Sequence, residues 1–220
     1  MRVIDNSLNL DFKLHETECY KTMPTYNYWC GWWNEEPRNL VEQVIKDLWQ
    51  DLNINFSDYG GFEYWNRYLT GNVTGSLEWH QDTGEYHYKD KTYWISDKSL
   101  VYYPYVSKDC IGGYLEIGNY YKRGTLEDAS KASRDIDYNM VERIRPITNR
   151  YVLIDSAQLH KVSPVYRGER HCLAIALWKE TPKFFIECEN WNGFGGDTMT
   201  KTTWKNKFNK SLCQYKLKLH

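Results

Sequence analysis

The sequence predicts a mainly β fold, a jelly-roll-like barrel buttressed by at least one helix. After residue 60, short runs rich in Tyr, Trp, Val, Leu and Ile alternate with Gly, Asn, Asp and Ser, which is typical of strands joined by turns. Several short strands of this kind favour a double-sheet jelly roll or barrel. A single helix with one apolar stripe precedes them and needs a sheet to pack against. Because 220 residues is an ordinary length for one all-β domain, we expect a single domain spanning 1–220.

The helix is predicted over residues 36–53. Asn34 can cap its start, acidic Glu35 suits the positive end of the helix dipole, and Pro37 is tolerated in the first turn. Apolar residues then recur at helical spacing, at Val41, Val44, Ile45, Leu48 and Leu52. This stripe indicates packing rather than a binding surface.

Eight strands are predicted near residues 62–69, 75–82, 99–106, 113–118, 150–155, 160–166, 170–179 and 183–187. The segment 119–145 interrupts them. In it, Thr125 and Asp128 resemble a capping box and predict a short polar helix within an otherwise long loop. Long loops of this kind are typical of lids and binding segments. The aromatic segment 26–33 could line a substrate groove or lie as a strand against the sheet.

Charge and apolar patterning exclude several classes of protein. With 28 Lys and Arg against 29 Asp and Glu, the chain is not a globally basic nucleic-acid binder. No apolar run approaches the roughly 18 residues of a membrane span, and we expect no membrane partner. The N-terminus lacks the apolar segment of a signal peptide, so we expect a cytoplasmic protein with reduced cysteines. The lysine-rich stretch 198–220 could bind phosphate or form a solvated tail.

Three polar residues carry the candidate chemistry. His80 and Asp82 are two positions apart, so on a strand both side chains point to the same face. Two polar residues on an exposed strand would give the same pattern, and the pair alone does not define a site. A later apolar run ends at His160, which can supply a third ligand from a distant strand. Two histidines and one carboxylate leave one face of a metal open, as in non-haem Fe(II) sites, with zinc as the competing metal.

Arg170 follows His160 by ten residues, on the next predicted strand. There it shares a face with the small residues Cys172, Ala174 and Ala176, which leaves space beside the guanidinium. A cavity with one arginine at its end suits bidentate capture of a carboxylate. The alternative for Arg170 is an ordinary surface ion pair.

In this order, His80-Gln81-Asp82, His160 and Arg170 resemble the 2-oxoglutarate- and Fe(II)-dependent oxygenases, and within them the prolyl 4-hydroxylase-like group. The resemblance covers about residues 62–180 and includes the segments 100–103 and 112–117. It implies a double-stranded β-helix in which His80, Asp82 and His160 hold iron and act in catalysis.

The resemblance also implies the cofactors. They are Fe(II) and the co-substrate 2-oxoglutarate, with ascorbate as a candidate reductant. The distal carboxylate of 2-oxoglutarate would bind Arg170, with the hydroxyl of Tyr103 as a second donor. The implied reaction hydroxylates a substrate C–H bond and releases succinate and CO2. The implied substrate is a prolyl residue in a peptide or protein.

Two positions depart from related sequences. The family's Arg-x-Ser is Arg170-His171-Cys172 here, so one hydroxyl donor near the distal carboxylate is missing. Nucleic-acid repair demethylases of the superfamily carry a second arginine six residues after the first, where this chain has Ala176. That difference disfavours nucleic acid as a partner. Arg170 and His171 point to opposite strand faces, so His171 is expected to be structural.

Two alternatives stay open at the level of sequence. One is an oxygenase that acts on a free amino acid, a small metabolite or nucleic acid. The other is a non-enzymatic, cupin-like barrel that binds a metal or ligand. The sequence leaves the oligomeric state open.

Overall fold

The computed structural model describes residues 1–23, 27–29, 36–50, 52, 55, 58–71, 77–82, 95–121, 135–180, 190–192 and 198–200. The strands are β1 (Arg2–Ile4), β2 (Asn27–Trp29), β3 (Gly61–Thr70), β4 (Leu77–His80), β5 (Lys98–Val106), β6 (Ile111–Gly112), β7 (Leu115–Tyr121), β8 (Glu142–Ile144), β9 (Arg150–Asp155), β10 (Gln158–Val162), β11 (Val165–Arg167), β12 (Glu169–Trp178), β13 (Asn190–Asn192) and β14 (Thr198–Thr200). The α-helices are α1 (Glu18–Lys21) and α2 (Leu40–Gln50), and 3-10 turns lie at Leu14–Glu16 and Tyr138–Met140.

Two antiparallel sheets form the framework. The larger has the strand order β1-β9-β5-β12-β3-β2, and the smaller has the order β4-β10-β7-β8. Their eight central strands, β3, β5, β9 and β12 in one sheet and β4, β7, β8 and β10 in the other, pass back and forth between the sheets along the chain. This arrangement is a double-sheet jelly roll, the double-stranded β-helix, and it confirms the predicted fold class.

Both edges of the larger sheet carry an added strand. β1 pairs with β9, and β2 pairs with β3 through Asn27↔Tyr64 and Trp29↔Phe62. For these three residues, the strand interpretation of the aromatic segment 26–33 is therefore correct. The rest of that segment, the predicted strand at 183–187 and the predicted helix near Thr125 lie outside the described residues.

Helix α2 begins later than the sequence predicted, at Leu40. The backbone N–H of Glu42 donates to the side-chain oxygen of Asn39 at 3.0 Å, so Asn39 caps the helix. The buried Glu42 carboxylate in turn accepts the backbone N–H of Arg38 at 2.7 Å. These bonds hold residues 38 and 39 outside the helix, and the predicted start at residue 36 is wrong.

The larger sheet is apolar on both faces. The outer face carries Leu173, Ile175 and Leu177 of β12, which pack in one buried cluster with the predicted stripe of α2. On the inner face, Cys172 belongs to a second buried cluster, which lies between the sheets. The predicted alternation of β12 is thus confirmed, and it sends Arg170 to the inner side.

No helix in the described part of the chain is long and apolar enough to cross a membrane.

Candidate active site

The three predicted metal ligands meet at one end of the smaller sheet. His80 ends β4, Asp82 follows it by two residues, and His160 lies on β10 directly opposite His80 in the antiparallel register. The two imidazole centroids are 4.2 Å apart. Asp82 Oδ1 lies 3.8 Å from His80 Nε2 and 3.6 Å from His160 Nε2. One potential ligand atom from each residue lies within 4.8 Å of the other two.

Backbone carbonyls fix the orientation of both imidazoles. His80 Nδ1 donates to the carbonyl of Glu78 at 2.7 Å, and His160 Nδ1 donates to the carbonyl of Gln158 at 2.9 Å. Because a carbonyl can only accept, Nδ1 carries the proton in each ring. When the rings are neutral, each Nε2 atom therefore has a lone pair available on the side of Asp82, as in metal-binding histidines oriented by an outer hydrogen bond.

The three groups have linked protonation states. Burial, together with the neighbouring His160, lowers the pKa of His80 to about 4. Burial alone would lower the pKa of His160, but the adjacent Asp82 carboxylate raises it above the ordinary value. Burial alone would raise the pKa of Asp82, but the two imidazoles and a hydrogen bond from Ser99 lower it well below the aspartate range. A neutral imidazole, a second imidazole whose protonated form is stabilised by a carboxylate, and that carboxylate therefore occupy one small volume.

This donor set fits a divalent first-row metal ion. Two atoms bound to one ion at about 2.1 Å each lie at most about 4.2 Å apart, and both Asp82–histidine separations are within that limit. Two histidines and one carboxylate also match the ligand types of a non-haem Fe(II) site with open positions.

Fe(II) binding is expected to weaken as the pH falls below the raised pKa of His160. A protonated imidazole cannot ligate, so each bound ion must displace the proton that Asp82 stabilises there. Well below that pKa the apparent affinity should fall by up to about tenfold per pH unit. His80, with its pKa of about 4, should add to the loss only in acid. Anaerobic titration calorimetry in buffers of different ionisation enthalpy measures the proton release directly.

The matched control for this pH profile is His171→Ala, since His171 lies on the opposite face of β12 from Arg170. It packs among aromatic rings, with its ring centroid 5.2 Å from that of His15 and 4.5 Å from that of Tyr68. Its removal should leave the profile unchanged. A wild-type Fe(II) affinity that is flat between weakly acidic and weakly alkaline pH would contradict the proposed coupling of His160 and Asp82.

Arg170 lies in the interior with unpaired hydrogen-bond donors. The residue is only 1% exposed, and its guanidinium carbon is 5.0 Å from the centre of the Tyr103 ring. Among the residues that the structure describes, Arg170 Nε and Nη1 and the hydroxyl of Tyr103 have no hydrogen-bond partner. Burial raises the pKa of Tyr103 to about 12, so its hydroxyl remains a donor. A buried cation with free donors beside a free hydroxyl fits a carboxylate ligand.

A glycine makes room for this arginine. Gly113 has φ of +67°, which disfavours other residues, and a Cβ built on it would lie 2.7 Å from Arg170 Cδ. The same Cβ would lie 2.9 Å from Val165. Gly113 therefore serves the placement of Arg170, a role that the sequence analysis did not identify.

The metal-ligand candidates and the pair formed by Arg170 and Tyr103 both face the space between the two sheets. Tyr103 and Cys172 belong to the inner cluster, as do Ile117 and Val162 beside His160. Tyr102 points to the outer cluster and donates to Asn149 Oδ1 at 3.2 Å, so the choice of Tyr103 over Tyr102 agrees with the strand geometry. Every predicted site residue thus faces one interior.

The fold is a double-stranded β-helix, and its His80, Asp82 and His160 form a candidate site for one metal ion. The sequence matches the 2OG-Fe(II) oxygenase superfamily over residues 64–179, and the chain belongs to this superfamily. The cofactors of the superfamily are Fe(II) and 2-oxoglutarate, for which the His-Asp-His cluster is suited.

Solved structures with a similar fold share little sequence with the chain. A prolyl-4-hydroxylase from Pseudomonas putida is 16% identical over 63% of this chain and 62% of its own, with a TM-score of 0.38. A Trichoplax adhaerens prolyl hydroxylase, solved with a hypoxia inducible factor peptide fragment, is 17% identical over 74% of this chain and 66% of its own, with a TM-score of 0.41. HygX from Streptomyces hygroscopicus, solved with nickel and 2-oxoglutarate bound, is 12% identical over 81% of this chain and 82% of its own, with a TM-score of 0.47. Curated proteins give no match to the sequence.

Proposed function

We propose that the protein is a 2-oxoglutarate- and Fe(II)-dependent dioxygenase that hydroxylates a substrate C–H bond. His80, Asp82 and His160 hold the metal, and Arg170 binds the distal carboxylate of 2-oxoglutarate with help from the Tyr103 hydroxyl. The observation that carries this proposal is the buried Arg170 with unpaired Nε and Nη1 atoms, in the same interior as the three metal-ligand candidates. A barrel that only bound a metal ion would not need a buried arginine with unpaired donors in the same interior.

When bound, Fe(II) and 2-oxoglutarate supply the oxidising chemistry, in which one atom of O2 enters the substrate and the other enters succinate as CO2 leaves. The protein contributes binding and orientation. Arg170 fixes one end of the co-substrate through charge-assisted hydrogen bonds. The imidazoles are already oriented by their backbone bonds, so little reorganisation accompanies metal binding.

The proposed substrate is a prolyl residue in a peptide or protein. Its support is the likeness of the motif series to the prolyl 4-hydroxylase-like group. A second observation disfavours nucleic acid: the position six residues after Arg170 holds Ala176, which is buried in a cluster with Trp178 and Trp65. An arginine side chain is therefore absent where base demethylases carry one.

Proline-containing peptides are expected to stimulate succinate release above the uncoupled background, and oligonucleotides with N-methylated bases are not. The assay compares a proline-rich peptide panel with methylated single-stranded DNA and RNA, and mass spectrometry checks the products for a gain of one oxygen. Free proline and other amino acids form a third arm, since a small-molecule oxygenase is the competing assignment. Demethylation of nucleic acid without peptide oxidation would overturn the substrate proposal and leave the metal site unaffected.

A further inference from the structure

Behind the Asp82 carboxylate lies a row of three buried serines that the sequence analysis did not identify. Ser96 and Ser156 are fully buried, and Ser99 is only 3% exposed. Ser96 Oγ donates to Ser156 Oγ at 2.6 Å, and Ser156 Oγ and Ser99 Oγ are 2.7 Å apart. Ser99 Oγ donates to Asp82 Oδ2. The row therefore ends on the carboxylate oxygen that does not face the imidazoles.

The direction of every bond in this row can be assigned. A serine hydroxyl carries one proton, and Ser99 already uses its proton on Asp82. The bond between Ser156 and Ser99 must then run from Ser156 to Ser99. With Ser96 donating to Ser156, all three hydroxyls donate toward the carboxylate. Hydrogen bonds aligned head to tail polarise one another and strengthen the last donor.

The row also connects the segments that carry the metal-ligand candidates. Ser99 lies on β5, and Ser156 lies in the turn between β9 and β10, four residues before His160. The backbone N–H of Ser96 donates to the carbonyl of Asp82 at 3.2 Å. Gln81 makes a parallel link, since its side-chain amide donates to the carbonyl of Ala157 in the same turn. The ligand segment 80–82 and the hairpin of His160 are thus fastened together on two sides.

We propose that Ser99 is a positioning residue for the metal site and acts through Asp82. Its hydroxyl, which accepts a hydrogen bond from Ser156, occupies Oδ2, so that Asp82 presents only Oδ1 to a metal. Oδ1 is the oxygen that lies 3.6 and 3.8 Å from the two Nε2 atoms. This inference rests on the proposed function only in assuming that Asp82 is a metal ligand.

The test is calorimetric titration of the metal-free protein with Ni(II). Ser99→Ala should bind Ni(II) about tenfold or more weakly than the wild type, since loss of an outer-shell partner typically costs roughly 10–100-fold in affinity. Ser156→Ala should lose less, and Ser96→Ala, at the far end of the row, should stay within about twofold of the wild type. Ser96→Ala is the matched control, because it also removes a buried hydroxyl.

A second readout separates positioning from a general structural role. Under anaerobic conditions the visible band of the Fe(II) and 2-oxoglutarate complex should shift in Ser99→Ala, because the freed Oδ2 can also reach the metal. The band should not shift in Ser96→Ala. Thermal midpoints of the metal-free variants report the structural cost of each lost hydroxyl. If Ser99→Ala does not fold, an intermediate loss of Ni(II) affinity in Ser156→Ala carries the same inference.

Two results would overturn this inference. One is that Ser99→Ala binds Ni(II) as tightly as the wild type does. If Ser99→Ala does not fold, the same result in Ser156→Ala has the same meaning. The other is an equal loss in Ser96→Ala and the variant under test. Absence of Ni(II) binding in the wild type itself would overturn the proposed metal site instead, so the two failures are distinguishable.

Discussion

His160→Ala is expected to abolish Fe(II) binding and 2-oxoglutarate turnover. The three ligand atoms of His80, Asp82 and His160 form the single cluster of this kind among the described residues, so the described part of the chain offers no spare donor to replace a lost imidazole. The loss should exceed the roughly 10–100-fold that removal of an outer-shell partner typically costs. His80→Ala and Asp82→Ala should behave alike. Anaerobic Fe(II) titration and succinate release measure the two effects.

His171→Ala is the matched control for these variants. It removes an imidazole that is packed against His15 and Tyr105 rather than directed toward Asp82. Both Fe(II) affinity and turnover should stay close to wild type, even if the thermal midpoint falls. An unchanged Fe(II) affinity in His160→Ala would show that the three-ligand assignment is wrong.

Arg170→Ala is expected to raise the 2-oxoglutarate requirement about tenfold or more. Each hydrogen bond to a charged partner contributes roughly 1.5–3 kcal/mol, and about 1.4 kcal/mol corresponds to tenfold in affinity. The guanidinium is buried, so water cannot readily replace it as a partner for the carboxylate. Titration of 2-oxoglutarate into the anaerobic Fe(II) protein, followed by its visible band, gives the dissociation constant.

Two further variants should weaken 2-oxoglutarate binding less than Arg170→Ala does. Arg170→Lys should recover only part of the affinity, because an ammonium group lacks the planar fork of the guanidinium. Tyr103→Phe should cost less than Arg170→Ala, since it removes one neutral donor and keeps the ring beside the guanidinium. Thermal midpoints check that each variant is folded. Equal 2-oxoglutarate dissociation constants for wild type and Arg170→Ala would exclude the proposed role of Arg170.

Local pattern was enough to predict seven of the eight central strands, and the prediction of 119–145 as a loop is wrong at β8, which pairs with β7. Strand β12 matches its prediction because alternating residues serve two different cores, with Leu173 in the outer cluster and Cys172 in the inner one. The apolar stripe of α2 could be predicted because one face of the helix is buried, which repeats apolar residues at helical spacing. The start of α2 was not predicted correctly, because Asn34 and Asn39 are both good caps and only the contacts with Glu42 select Asn39. The single domain and the cytoplasmic location stay predictions.

The grouping of the candidate site residues was predictable where it depends on spacing along one strand. His80 and Asp82 share a face because side chains alternate on a strand, and Arg170 shares a face with three small residues for the same reason. Residue type then limited the ligands: two imidazoles and a carboxylate suit a divalent metal, and a guanidinium suits a carboxylate.

Only the tertiary structure decided which residues meet across the barrel. His80 and His160 come together through strand register, and register is set by pairing between segments far apart in the chain. Ser99 and Ser156 are 57 positions apart and carry no motif, so no local pattern could connect either of them with Asp82. Gly113 likewise receives its role from Arg170, a residue of another strand that passes where a Cβ would stand. The sequence determines the types of ligand in this site, and the packing of the two sheets determines their positions, because hydrogen bonds and steric limits act between neighbours in space.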